Sequence, residues 1–342
     1  MEIGLYTFGD MGRDPVTGRT VNAHERLTNL MEEIELADEV GLDVFGLGEH
    51  HRPNYAISSP PVTLAGAART TKRIKLTSAV SVLSSDDPVR VYQQYTTLDN
   101  ITGGRAELMV GRGSFIESFP LFGYDLNDYD ALFEEKLEML LAIDEREKLR
   151  WKGSEHTQAV ENLGVYPRPV NGHLPMWIAA GGTPNSMVRA GVLGLPLALA
   201  IIGGQPRQFA PLADLYRRAA EQSGNAEKAR VSLNVHGFVA EDSQHAAETF
   251  FPAQKAVMDQ IGRERGWPPQ TRAQFDAGIG PEGAQFVGSP QQIVDKVLGL
   301  KDALGFDRFL IQMAIGIIDH KEMMKAIEVL GTKVAPALRK AG

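Results

Sequence analysis

The sequence predicts an α/β fold, a (β/α)8 barrel of the TIM type, and three observations predict it. Eight short apolar runs alternate with longer amphipathic ones along the 342 residues. Several short runs, such as LALAII at 197–202, are apolar on both faces, as strands covered on both sides must be. Each strand-like run also leads to a helix-like one, the pattern of a parallel sheet wrapped by helices. A doubly wound open sheet is the alternative architecture for the same alternation. The whole chain, 1–342, reads as a single domain.

Residues 3–8 form the first strand and 24–40 the first helix, with Leu27, Leu30, Met31, Ile34 and Ala37 at three- and four-residue spacing along one buried face. Residues 43–49 are the second strand and 61–71 the second helix, with Pro near its start. A third strand runs over 74–83. Asp87 then caps, and Pro88 opens, a helix to 101, because Asp accepts from exposed helix N–H groups and Pro needs no backbone donor there. Strand four is 106–110, followed by a long helix over 128–148. Further strands fall at 176–180, 196–202, 231–240 and 306–313, with helices at 184–193, 208–222, 243–261, 290–304 and 320–330. Two stretches exceed the minimal barrel: an extended excursion at 151–174 before strand five, and a Gly-, Pro-, Arg- and Gln-rich insertion at 262–288 between strands seven and eight. Long insertions of this kind in compact domains serve as lids or binding loops, or are disordered.

Composition narrows the function classes. Lys and Arg number 35 against 43 Asp and Glu, a formal charge of −8, which argues against a nucleic-acid surface. The chain has no Cys, which excludes disulfides, Cys-ligated zinc, iron–sulfur clusters and a thiol nucleophile. Its longest charge-free apolar stretch, 190–206, holds four Gly and two Pro in 17 residues. That falls short of the ~20 apolar residues of a spanning helix. Glu2 and Asp10 stand where a signal peptide carries a basic start and an apolar core. The expectation is a cytoplasmic protein with no membrane or nucleic-acid partner.

In a barrel of this kind the chemistry sits at the carboxyl ends of the strands. No Lys falls at any of these ends, which argues against a Schiff-base enzyme. The clearest candidate is an anion site. GGTPNS (181–186) runs from a strand into a helix: Gly181 and Gly182 allow close backbone approach, Thr183 suits the N-cap, Pro184 the first helical position, and Ser186 offers a hydroxyl one turn in. Its bland reading is a well-capped helix with no ligand. Arg112, between two glycines at the end of strand four, can clamp a phosphate, or else pair with a loop carboxylate. Glu49-His50-His51 ends strand two. Neutral imidazoles there can move protons or ligate a metal, with Glu49, His236 or Asp10 as the only completing ligands, or they can be structural. Both His can face the barrel only if the chain turns, as Pro53 suggests. Tyr6, Phe8, Phe45, Phe115 and Phe119 are candidate apolar lining.

Four separated signatures share one order: GEHHRPN (48–54), VSVLSSDDPVR (80–90), TLDNITGGRAELMVGRGS (97–114) and AAGGTPNS with GLPLALAIIGG (179–204). In these the chain resembles the bacterial luciferase-like flavin monooxygenases, over nearly its whole length. The resemblance implies a TIM barrel that uses reduced FMN from a separate flavin reductase, takes O2 and a small organic substrate, and forms a homodimer. It implies that His50 is the catalytic histidine beside the flavin ring, with His51 its neighbour. Arg112 then holds the flavin phosphate together with Gly182, Thr183 and Ser186, and Ala79-Val80 carries a non-proline cis peptide against the flavin. The chain departs at Gly111, where the luciferase catalytic subunit has a reactive cysteine, and at Gly181-Gly182, where luciferase has bulkier residues. These departures weigh against light emission and a long-chain aldehyde substrate.

The expected function is therefore an FMN-dependent monooxygenase, with His50 as its proton-transfer residue and no metal. A deazaflavin-dependent hydride-transfer enzyme on the same barrel is the near alternative. A sugar-phosphate isomerase or metal-dependent hydrolase using His50, His51 and His236, and a non-catalytic flavin-binding protein, are the distant ones.

Overall fold

Eight parallel strands close on themselves in a computed structural model that describes residues 1–113 and 115–341. Ser114, the last residue of one quoted motif, lies outside the described residues. The strands are β1 (Glu2–Thr7), β2 (Val44–Leu47), β3 (Lys75–Ser78), β4 (Ala106–Gly111), β5 (Met176–Ala180), β6 (Leu197–Ile201), β7 (Val231–Val239) and β8 (Arg308–Gln312). They pair in chain order and β8 returns to β1, so the barrel leaves no open sheet edge. The open-sheet alternative is thereby excluded.

The helices that cover the barrel are α1 (Ala23–Glu39), α2 (Pro60–Ala67), α3 (Pro88–Thr102), α4 (Tyr129–Glu145), α5 (Pro184–Leu193), α6 (Ala210–Gln222), α7 (Ser243–Arg265), α8 (Arg272–Ile279), α9 (Pro290–Leu304) and α10 (His320–Val329). Local chemistry sets their ends. The Asp87 side chain accepts from the N–H groups of Val89 and Arg90 at the start of α3, and Gly103 ends that helix in the left-handed conformation.

Register decides which residues fill the barrel, because side chains alternate faces along each strand. Glu2 stands beside Arg308, and Lys75 lies two strands over from β1, on β3. These residues meet Glu107 at the amino-terminal end, where the Arg308 guanidinium bonds both Glu107 oxygens at 2.7 and 3.0 Å and lies over the Trp177 ring. Above this ionic floor comes a small apolar layer that includes Tyr6, Val44, Met109, Trp177, Ala198 and Leu310. A far larger core lies between barrel and helices. At the carboxyl end the two halves of the interior differ. The inward positions of β2 to β6 and their ends are mostly small, Gly46, Gly48, Ala79, Gly111, Ala179, Gly181 and Ala200, with Thr77 on β3 and Ile202 at the end of β6 as the larger ones. Those of β7, β8 and β1 are His236, Gln312, Tyr6 and Phe8. The barrel top is therefore a shelf of small residues facing a wall of large ones.

Three predicted elements differ from what forms. The strand expected over 74–83 breaks after Ser78: Ala79-Val80 is a cis peptide, and Ser81–Val82 then pairs with the upper end of β4. Residues 151–174 are not simply extended. Lys148–Trp151 and Val160–Gly164 form an antiparallel hairpin before a loop with a cis Tyr166-Pro167 bond. Nor are 262–288 a loop. Helix α7 runs on to Arg265, α8 follows with a Thr271–Gln274 capping box, and Gln285–Gly288 adds to the upper part of β7. The Gly and Pro content that suggested a loop is concentrated in the turns between these pieces.

Candidate functional site

The site is built on the carboxyl ends of the strands, where the helix N-termini and the shelf converge. Beyond β2 the chain turns through 50–57, closed by the His50 N–H bonding the Ile57 carbonyl at 2.9 Å. This turn resolves the facing of the paired imidazoles. The His50 ring enters an aromatic cage, with ring centres 4.3 Å from Phe8, 4.6 Å from Tyr55 and 5.2 Å from Phe115. The His51 ring turns away. Its Nε2 meets Glu49 Oε1 at 2.8 Å and its edge faces Phe122. Glu49 is held in turn, its second oxygen accepting from the Val82 N–H at 2.8 Å.

Burial dominates the electrostatics of His50. Its side chain loses most of its water, and the neighbouring His51 and Arg52 add like charge, so its pKa falls to about 3. At neutral pH it is an uncharged imidazole that can accept or share a proton but carries no stored one. Arg52 sits over the Phe115 ring at 4.5 Å and pairs with Glu117 and with Glu264 at the end of α7. Three separate segments are thus tied together above His50.

The anion-site candidates gather at the other end of the shelf. β4 and β5 are neighbours, so the end of one brings Arg112 to the start of α5 after the other. Arg112 Nη2 lies 3.4 Å from both the Thr183 and the Ser186 hydroxyl oxygens, which are 3.1 Å apart. Thr183 takes the N-cap position, as expected, but its hydroxyl makes no cap hydrogen bond. The expectation that it caps the helix is corrected: the hydroxyl points instead to Ser186 and Arg112. Gly182 has φ of +122°, a conformation side chains resist, and a Cβ at Gly181 would meet nothing within 4 Å. Arg112 also pairs with Asp130, a carboxylate at the exposed start of α4. Both readings of this arginine therefore describe part of its surroundings.

Ala79 and Val80 border the shelf where the cis peptide bends the chain inward. Gly111 lies opposite: a Cβ there would stand 2.9 Å from Val80 Cγ2. The Val80 side chain thus occupies the space that a longer residue at 111 would need.

His236 faces the interior from β7, as its register with Gln312 requires, and burial lowers its pKa to about 4. It does not join the paired imidazoles in a metal set. Among the described residues no three His, Asp or Glu side chains are grouped to hold an ion. Asp10 accepts from the Gly316 N–H at 2.8 Å, and Glu49 is taken up by His51 and Val82. The ligand geometry that the metal-hydrolase alternative requires is not formed by these side chains.

Sequence reasoning missed several participants: the seating of His51 by Glu49, the clasp of Arg52 with Glu117 and Glu264, and Tyr55 against His50. Only the first left a local signal, the two-residue spacing of Glu49 and His51.

Residues 1–308 match the family model described as luciferase-like monooxygenase. A curated relative, the 4-hydroxyprotoasukamycin monooxygenase of Streptomyces nodosus subsp. asukaensis, is 30% identical over 330 residues, covering 90% of this chain and 86% of its own. Among solved structures, the oxygenating constituent of 3,6-diketocamphane monooxygenase from Pseudomonas putida, in complex with FMN, superposes with a TM-score of 0.77 at 20% identity, covering 98% of both chains. The coenzyme F420 dependent tetrahydromethanopterin reductase of Methanopyrus kandleri gives a TM-score of 0.73 at 20% identity, covering 98% of this chain and 99% of its own. With that family model matching residues 1–308 and the barrel in agreement, the chain belongs to the luciferase-like monooxygenase family.

Proposed function

We propose that the protein is an FMN-dependent monooxygenase that takes reduced flavin from a separate reductase and inserts an oxygen atom from O2 into a small organic substrate. The observation that carries this reading is a shelf of Gly and Ala with a cluster of anion donors at one end and a neutral imidazole at the other. The fit is chemical. Arg112, Thr183, Ser186 and the Gly181-Gly182 backbone supply what a phosphate needs, with open space over Gly181, and Phe8, Val80 and Ala79, packed over Gly48, Gly111 and Gly46, present an apolar surface beside it. When bound, the reduced flavin supplies the electrons that activate oxygen.

The chain's own groups do the rest. Arg112 and α5 anchor the phosphate. Val80 and Ala79 seat the ring. Phe8, Tyr55 and Phe115 keep water from the imidazole, which raises the strength of every polar contact made there. His50 acts from its neutral form, receiving or relaying a proton at a ring nitrogen, and His51, fixed by Glu49, is a positioning neighbour. The protein works as a cytoplasmic homodimer in this reading, which light scattering on the purified chain tests directly.

The test supplies FMN, NADH, a flavin reductase and 18O2, and screens small aldehydes, ketones and sulfonates. One labelled oxygen in a product, lost with Arg112→Ala at limiting flavin, supports the reading. Absence of saturable FMN binding sinks it. The Methanopyrus likeness keeps a deazaflavin in view as a second reading. Parallel titration with FMN and coenzyme F420 decides between them, the tighter cofactor being the resident one.

A further inference from the structure

The large-residue wall of the barrel top contains a polar pair that nothing in the flavin site uses. His236 and Gln312 are register neighbours on β7 and β8, and both face the interior. Two steps down the same strands, their partners Ser232 and Arg308 belong to the barrel floor, which fixes the facing. Gln312 is 2% exposed, its amide N–H reaches the Ala314 carbonyl at 3.3 Å, and its Oε1 is buried with no hydrogen-bond partner. His236 is half-buried, and among the described residues its ring nitrogens bond no protein group. A buried acceptor without a donor is unusual in a folded protein and marks a place where a further group belongs.

We infer that His236 and Gln312 form the polar end of the substrate pocket and select a neutral molecule with a hydroxyl group on an apolar body. A hydroxyl fits both partners at once: it donates to Gln312 Oε1 and accepts from the neutral imidazole of His236. The flanks are apolar, with Phe8 on the β1 side and Ile202, 58% exposed, beyond β6. Charge does not suit this end. Its two polar residues are uncharged at neutral pH, while Arg112 and Arg52 are already paired with Asp130 and with Glu117 and Glu264. An ionised ligand would enter this wall without a counter-ion. The assignment rests on the flavin reading only in placing the cofactor on the opposite shelf.

The test compares 2-naphthol with its methyl ether, 2-methoxynaphthalene, by equilibrium dialysis against the FMN-loaded protein and, in parallel, the cofactor-free protein. The hydroxyl compound is expected to bind saturably and about tenfold or more tighter than the ether, as for a site that loses one hydrogen bond. Gln312→Leu should remove that preference while leaving ether binding and FMN affinity unchanged. His236→Leu should weaken both probes, because the ether oxygen also accepts from the imidazole, and His236→Gln, which keeps a donor, should restore part of that loss. Equal binding of the two probes, no saturable naphthol binding, an unchanged preference in Gln312→Leu, or an unchanged naphthol affinity in His236→Leu overturns the assignment. Failure of FMN to bind overturns the flavin reading instead, and the naphthol preference is then read from the cofactor-free protein.

Discussion

Replacing Arg112 by Ala tests the anchor on which the cofactor reading depends. Hydrogen bonds to charged groups contribute about 1.5–3 kcal/mol. Arg112, with 26% of its side chain exposed, must first leave Asp130, which is 69% exposed. Exposed pairs of that kind contribute only about 0.2–1 kcal/mol. The difference leaves about 1–2 kcal/mol for the phosphate contact, or about a 5- to 30-fold loss of FMN affinity at 1.4 kcal/mol per decade. The assay is quenching of flavin fluorescence, run with FMN and with riboflavin, which shares the ring system and lacks the phosphate. Wild type should prefer FMN, Arg112→Ala should lose most of that preference, and riboflavin binding should stay within about twofold. Asp130→Asn should tighten FMN and leave riboflavin alone. If Arg112→Ala weakened both ligands equally, the arginine would be a structural prop and the phosphate would lie elsewhere.

The shelf itself is open to test through stability. Gly111→Ala places a Cβ 2.9 Å from Val80 Cγ2 and should cost about 1–3 kcal/mol in denaturant unfolding, with Val80→Ala in the same chain restoring most of it. On the barrel floor, Glu107→Ala leaves the buried Arg308 with Glu2 as its remaining partner. A loss of about 3 kcal/mol is expected, seen as a lower Tm, whereas the joint change Glu107→Leu with Arg308→Met should be far milder. His50 has a folded pKa of about 3 against 6.5 unperturbed, so the unfolded chain binds its proton first on acidification. Its contribution to stability is complete above pH 6.5 and falls as the pH drops toward 3. Between those limits His50→Gln should flatten the loss of unfolding free energy by about 1.4 kcal/mol per pH unit. Equal slopes for the two proteins would show that the imidazole is not held neutral.

Much of this molecule is legible one segment at a time. Strand and helix order follow from local periodicity and capping: Asp87-Pro88 announces α3, and GGTPNS announces a strand running into an accessible helix start. Arg112, bracketed by glycines, is suspect before any fold is known. These features are visible because the residues concerned are contiguous. The misread segments fail for the complementary reason. Residues 262–288 carry loop composition, yet the turns hold most of their Gly and Pro, and the backbone groups of 285–288 find partners on β7, which no local pattern reveals.

What the amino-acid order determined by itself is the set of eight βα units and the identity of the groups able to hold an anion or move a proton. Closure of the barrel decided the rest. It set β4 beside β5, so that Arg112 reaches Thr183 and Ser186 across about 70 intervening residues. It fixed the register that puts small side chains on one half of the mouth and His236 with Gln312 on the other. It also took water from His50, giving an ordinary imidazole a pKa of about 3. Pairing across a closed sheet and exclusion of solvent are properties of many strands at once, and no stretch of chain carries them alone.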